Sequence, residues 1–145
     1  MQRIADVMTR DVEAISPHAT VQVAAQLMDE LNVGALPVCE DRRLVGMITD
    51  RDITVRATAS DLLPSSIKVC DIMTEHPRWC SQDQTTDEVM QQMSDVQVRR
   101  IPVLNDNQEV IGIVSLGDLA VREPDGVQDA LRNISIPAEP DRSLY

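Results

Sequence analysis

Apolar residues recur along this chain at two alternating spacings. Val21, Ala24, Ala25, Met28 and Leu31 fall at i, i+3, i+4, i+7 and i+10, one stripe of an amphipathic helix, and Val23 and Leu27 add a second apolar edge. Thr20 is placed to cap the start of this helix. Gly34 is placed to end it in the left-handed conformation. Ahead of it, residues 12–15 read as a short strand and 16–20 as a turn. Behind it, the apolar runs 36–39 and 44–48 flank the polar turn 40–43 and predict an antiparallel hairpin. Residues 50–59 read as a second helix. The predicted order is strand, helix, strand, strand, helix.

The same course is then run again. Ile4-Ala-Asp-Val-Met-Thr9 returns as Val69-Cys-Asp-Ile-Met-Thr74, Leu36-Pro-Val38 as Ile101-Pro-Val103, and Gly46-Met-Ile-Thr-Asp-Arg-Asp52 as Gly112-Ile-Val-Ser-Leu-Gly-Asp118. The second helical stripe is Thr86, Val89, Met90, Met93 and Val96. A hairpin turns at 105–108, and a closing helix starts near Leu116. The offset grows by one residue in the turn before Gly112, where an insertion is tolerated. The expected organisation is one repeat over 1–62, a second over 63–124, and a C-terminal helix with a loose tail over 125–145. The helix rests on Val127, Ala130, Leu131 and Ile134. A repeat of this kind predicts a pseudo-twofold molecule of the mixed α/β (α+β) class with two related clefts.

Composition narrows the picture. Either half, at about 60 residues, would bury only about 60% of its unfolded surface, so one shared core is expected. Phe is absent and Trp and Tyr occur once each among 145 residues, so that core must be aliphatic. The net charge of −11 argues against nucleic acid and anionic membrane, since phosphate backbones select basic faces. No apolar run approaches the ~18–20 residues of a membrane span, and Met1-Gln-Arg-Ile-Ala-Asp6 leads into the first repeat without a signal-type apolar segment. A cytoplasmic protein is expected. Cys39, Cys70 and Cys80 lack CxxC spacing and His18 and His76 stand apart, so no metal cluster is predicted, and small free thiols are the plain expectation.

The block Gly-apolar-apolar-Ser/Thr-x-x-Asp carries the chemistry. It stands twice where a strand hands over to a helix, a place whose unpaired N–H groups suit a phosphate. Thr49 or Ser115 supplies a hydroxyl. Asp52 or Asp118, one turn on, supplies two acceptor oxygens for a ribose diol. Gly46 and Gly112 would let the strand lie against a flat ring. The plainer reading is a capping box, with Ser/Thr at the cap and an acid three residues later, and one residue can serve both purposes.

Together, the D-[VI]-M-T opening, the [LI]-P-V strand and this closing block, twice in register over residues 4–123, resemble a tandem pair of cystathionine-beta-synthase (CBS) domains, or Bateman module. The pair is similar to small stand-alone bacterial proteins of the hypoxic-response type. The resemblance implies that AMP, ADP, ATP or a similar adenosine ligand binds between the motifs. Asp52 and Asp118 would then hold ribose, and Thr49 and Ser115 would touch phosphate. The strands around Ala14-Ile15 and Trp79-Cys80 would flank the base. A basic position before the [LI]-P-V strand also contacts phosphate in relatives. Here the second repeat has Arg99 and Arg100 where the first has Gly34 and Ala35, and the first has Arg51 where the second has Gly117. The two clefts are therefore chemically unequal.

A regulatory sensor is the expected function, because no nucleophile–base pair, metal cluster or phosphate-transfer loop can be read. The competing readings are a ligand-free adaptor that regulates a partner protein and an enzyme acting on adenine nucleotides. The surplus apolar edge of the first helix, together with the resemblance, implies a homodimer. Any signal would pass to that second copy or to an effector protein.

Overall fold

A computed structural model describes residues 2–122 and 126–137. In chain order the first elements are α1 (Ile4–Val7), β1 (Thr9–Arg10), α2 (Val21–Leu31), β2 (Ala35–Glu40) and β3 (Arg43–Thr49). α3 (Asp50–Asp52) follows and widens into a π-helical stretch, Ile53–Thr58, before α4 (Val69–Ile72) and β4 (Thr74–Glu75). Then come β5 (Cys80–Ser81), α5 (Thr86–Val96), β6 (Arg100–Leu104), β7 (Val110–Ser115), α6 (Leu116–Arg122) and α7 (Val127–Ser135). The class is mixed α/β, as the alternating spacings predict.

These elements sort into two compact units that are offset from the sequence repeats. Residues 13–77 form one. The described residues up to Val12 join those from Arg78 onward in the other. The opening block of each repeat thus packs with the hairpin of the other repeat.

In the 13–77 unit the sheet order is β2-β3-β4. Thr20 Oγ1 accepts the Val23 N–H at 3.2 Å and caps α2, so the predicted cap forms. Val21, Ala24 and Met28 turn inward and join Ile15, Leu36, Val38, Ile48, Ala57, Val69 and Ile72 in an aliphatic cluster. In the other unit the order is β1-β7-β6-β5. The α5 residues Val89, Met90 and Met93 pack there with Ile4, Val7, Met8, Cys80, Ile101, Val103, Val114, Leu116 and Leu119, and α7 adds Ala130.

Both hairpins carry a register shift at the same place, Val38/Cys39 and Val103/Leu104. Their turns differ. Asp41 and Arg42 both have positive φ, at 52° and 68°, as a two-residue I′ turn demands. The second turn is longer and is organised by Asn105 Oδ1, which accepts the N–H groups of Asn107 at 2.9 Å and Glu109 at 3.0 Å.

Several expectations need correction. The buried apolar residues form two clusters rather than one, and each cluster draws on both repeats. Only Ile15 of the predicted first strand pairs, through a single parallel bridge to Val38. Asn32, not Gly34, ends α2 in the left-handed region, at φ 54°; its short polar side chain tolerates that conformation. Gly46 and Gly112 are needed for a different close approach. A Cβ at Gly46 would lie 2.6 Å from Met73 Sδ and 2.9 Å from Thr74 O; at Gly112 it would lie 2.8 Å from Met8 Sδ and 2.7 Å from Thr9 O. The Met-Thr of each opening block fills the space expected for a ring. The predicted loose tail beyond residue 137 lies outside the described residues.

Candidate functional site

Each Ser/Thr-x-x-Asp block sits at a strand-to-helix junction and closes on itself. Thr49 N–H donates to Asp52 Oδ2 at 2.9 Å, and Asp52 N–H donates to Thr49 Oγ1 at 3.0 Å. Ser115 N–H donates to Asp118 Oδ2 at 2.9 Å, and Asp118 N–H donates to Ser115 Oγ at 3.0 Å. Both are reciprocal capping boxes, and in each the second carboxylate oxygen takes no part. From here the two diverge.

Asp52 has no exposed surface. Its Oδ1 is buried without a hydrogen-bond partner and lies 3.8 Å from Arg56 Nε. Burial pushes its carboxyl above the ordinary carboxylate range, and the Thr49 hydrogen bonds and the Arg56 charge offset only part of that rise. Arg56 is turned toward the next repeat's opening block, where its Nη1 donates to Ile72 O at 3.1 Å and Met73 O at 3.2 Å. Asp50 sits over Gly34, its Oδ2 only 2.9 Å from the point a Cβ there would occupy. Arg51 is exposed.

Asp118 is partly exposed. Arg100 is the cross-strand neighbour of Ser115, and Arg99 O accepts the Leu116 N–H at 2.7 Å. The fold therefore brings both arginines, exposed as they are, to the Ser115–Asp118 junction. Cys80 pairs in parallel with Val103, which sends Trp79 toward the same end of β6. Its indole is 44% exposed, and its carbonyl is held by Gln92 Nε2 at 2.9 Å. One end of a single sheet thus brings together the backbone positions of an acid, a hydroxyl residue, two arginines and an exposed tryptophan.

The other residues singled out by sequence take plainer places. Ile15 is a core residue whose N–H donates to Pro37 O at 2.9 Å, and Ala14 beside it is exposed. Cys80 is buried, and burial pushes its thiol up to about 12, well above the range where a thiolate reacts. Burial also raises Cys39. Among the described residues no group of three or more His, Cys, Asp or Glu could hold a metal ion, and no helix is long and apolar enough to cross a membrane.

The twice-repeated junction, with its glycine seated on the Met-Thr of an opening block, matches a known pattern. The profile described as "CBS domain" covers residues 4–57 and again 69–125. The chain belongs to the CBS domain family.

As a CBS pair it is 39% identical over 137 residues to the CBS domain-containing protein YhcV of Bacillus subtilis, spanning 93% of this chain and 96% of that one. It is 35% identical over 121 residues to hypoxic response protein 1 of Mycobacterium tuberculosis, spanning 83% and 84%. The crystal structure of Hypoxic Response Protein I, with two coordinated zinc ions, superposes with a TM-score of 0.77 at 34% identity over 85% of this chain and all of that one. CBSX2 from Arabidopsis thaliana, in complex with AMP, superposes with a TM-score of 0.72 at 25% identity over 88% and 99%.

Sequence reasoning missed Arg56. Its spacing of four from Asp52 is an ion-pair signal on a helix. Asp118 and Arg122 have the same spacing, however, and Arg122 is exposed, so spacing alone does not separate the two CBS boxes.

Proposed function

We propose that this CBS pair is a cytoplasmic regulatory sensor that takes an adenosine nucleotide, AMP, ADP or ATP, at the Ser115–Asp118 junction. One observation supports the reading: sheet register sets Arg100 opposite Ser115 and Cys80 opposite Val103, so that Arg99, Asp118 and the exposed Trp79, their near neighbours along the chain, fall toward the same end of one sheet. Each group meets a different part of the ligand. Asp118 Oδ1 would accept from the ribose hydroxyls, its lone pairs and charge suiting two donors. Arg99 and Arg100 would meet phosphate, with the fork geometry that suits it. Trp79 would stack the base, a contact of about 1–3 kcal/mol. The AMP held by the related CBSX2 supports the ligand class.

A hydrogen bond to a charged group contributes about 1.5–3 kcal/mol, so Asp118→Ala is expected to weaken AMP or ATP binding about tenfold to a hundredfold. Titration calorimetry on wild type and variant measures this, and equal affinities would leave Asp118 only its capping role.

A second reading is a ligand-free adaptor that regulates a partner protein. It is favoured by the closure of both boxes on themselves. Mass spectrometry of small molecules released on denaturing the purified protein separates the two readings, because an adenosine compound at near-stoichiometric amount excludes the adaptor. Under either reading the signal passes through a homodimer or to an effector. The exposed edge of α2, with Val23 at 46% and Leu31 at 41%, is the surface that suits a second copy.

A further inference from the structure

We propose that Arg56 decides which of the two boxes can accept a ligand. It occupies the Asp52 carboxylate and turns the first box into an internal clamp, leaving the Ser115–Asp118 box as the single nucleotide site per chain. The assignment rests on the nucleotide reading above and adds its stoichiometry and the residue that sets it.

Three observations converge. First, Asp52 Oδ1, the oxygen a ribose diol would need, is fully buried with no hydrogen-bond partner, and the nearest cation is Arg56 Nε at 3.8 Å. A sugar could reach it only by displacing Arg56. Second, Arg56 is not free to leave without loss. Its Nη1 is shared between Ile72 O and Met73 O, carbonyls at the C-terminal end of α4 that no further helical turn satisfies. Third, an acid stands beside this box at a place where the other has a base. Asp50 lies over Gly34, at the position where the other repeat has Arg99. The π-helical widening at Ile53–Thr58 carries Arg56 in the middle of this arrangement, and such widenings often mark specialised sites. The second box has the reverse character: Asp118 is partly exposed, Leu116 stands where Asp50 does, and Arg99 and Arg100 flank Ser115.

Calorimetric titration of the full chain with AMP and with ATP should give one site per chain. Asp118→Asn should weaken it at least tenfold, and Asp52→Asn, which keeps an acceptor for the Thr49 N–H, should change affinity less than twofold. Two sites per chain, one of them lost in Asp52→Asn, would overturn the assignment. No binding by the wild type would overturn the nucleotide reading and the single-site assignment with it. The clamp is then decided by a second measurement. Amide exchange at Met73, whose N–H is bonded to Val69 O at 2.9 Å, should accelerate at least tenfold in Asp52→Asn and in Arg56→Gln, with no further gain in the double variant. Unchanged exchange in both single variants would exclude the clamp.

Discussion

Gly46 and Gly112 show how much a single missing carbon can specify. Neither has positive φ, so backbone freedom is not the reason for glycine. Each lies opposite a residue of the short strand that follows a Met-Thr pair or runs through it, Gly46 against Glu75 and Gly112 against Arg10. A Cβ would meet a backbone carbonyl at 2.9 Å or 2.7 Å as well as a methionine sulfur, and the carbonyl cannot swing aside as a side chain can. Gly46→Ala and Gly112→Ala are each expected to cost about 1–3 kcal/mol through overpacking, read by urea denaturation. Gly117→Ala is the control. It is exposed in α6, its nearest neighbour would be Ser115 Oγ at 3.6 Å, and it should gain up to about 1 kcal/mol of helix propensity. The repeated glycine was legible in the sequence, and its reason was not. A ring and a neighbouring strand need the same space, and only three-dimensional pairing shows which one fills it.

At the scale of elements, the long periodic segments were readable and the short ones were not. α2, α5, both hairpins and α7 follow from apolar spacing and from caps such as Thr20. β1 and β4, two residues each, carry too few residues for any period, and the left-handed end of α2 falls at Asn32 and not at Gly34. The two boxes were legible as caps and as acceptors, and Arg99 and Arg100 as cations beside one of them. The burial of Asp52 was not, because the repeat makes it look like Asp118. That burial gives the start of α3 an unusual pH response. Desolvation raises the Asp52 carboxyl above the ordinary range, so the folded chain holds this proton more firmly than the unfolded chain. By linkage, the group's contribution to stability then grows as pH falls through its folded pKa toward the ordinary carboxylate value, and shrinks as pH rises above it. The stability of wild type relative to Asp52→Asn is therefore expected to rise between pH 7 and pH 4. Chemical denaturation at a series of pH values measures it; a difference that falls over that range would mean that the Arg56 attraction outweighs desolvation.

For the whole molecule, the offset between repeat and compact unit makes a prediction that the repeat alone would get wrong. Reading the sequence, one would cut the repeats near residue 62 and expect the two halves to depend on each other, without saying which segments are exchanged. Among the described residues the chain crosses between its units near Val12 and near Pro77. A fragment of residues 1–62 lacks Val69 and Ile72, which belong to the core of its hairpin, and lacks β4, which covers β3. It also carries Ile4 and Val7, whose cluster lies in the other unit. A fragment of residues 13–77 contains one complete cluster, its sheet and the Arg56 bonds to Ile72 and Met73. A domain of that size is marginal but can fold alone. The 13–77 fragment is therefore expected to unfold cooperatively with denaturant, whereas the 1–62 fragment should show no transition. A cooperative transition in 1–62 would mean that the opening block is dispensable to the hairpin it follows in space, and that the boundary near residue 62 is the physical one. If the 13–77 segment holds together only with its α4–β4 block in place, then a change at that block alters the unit as a whole.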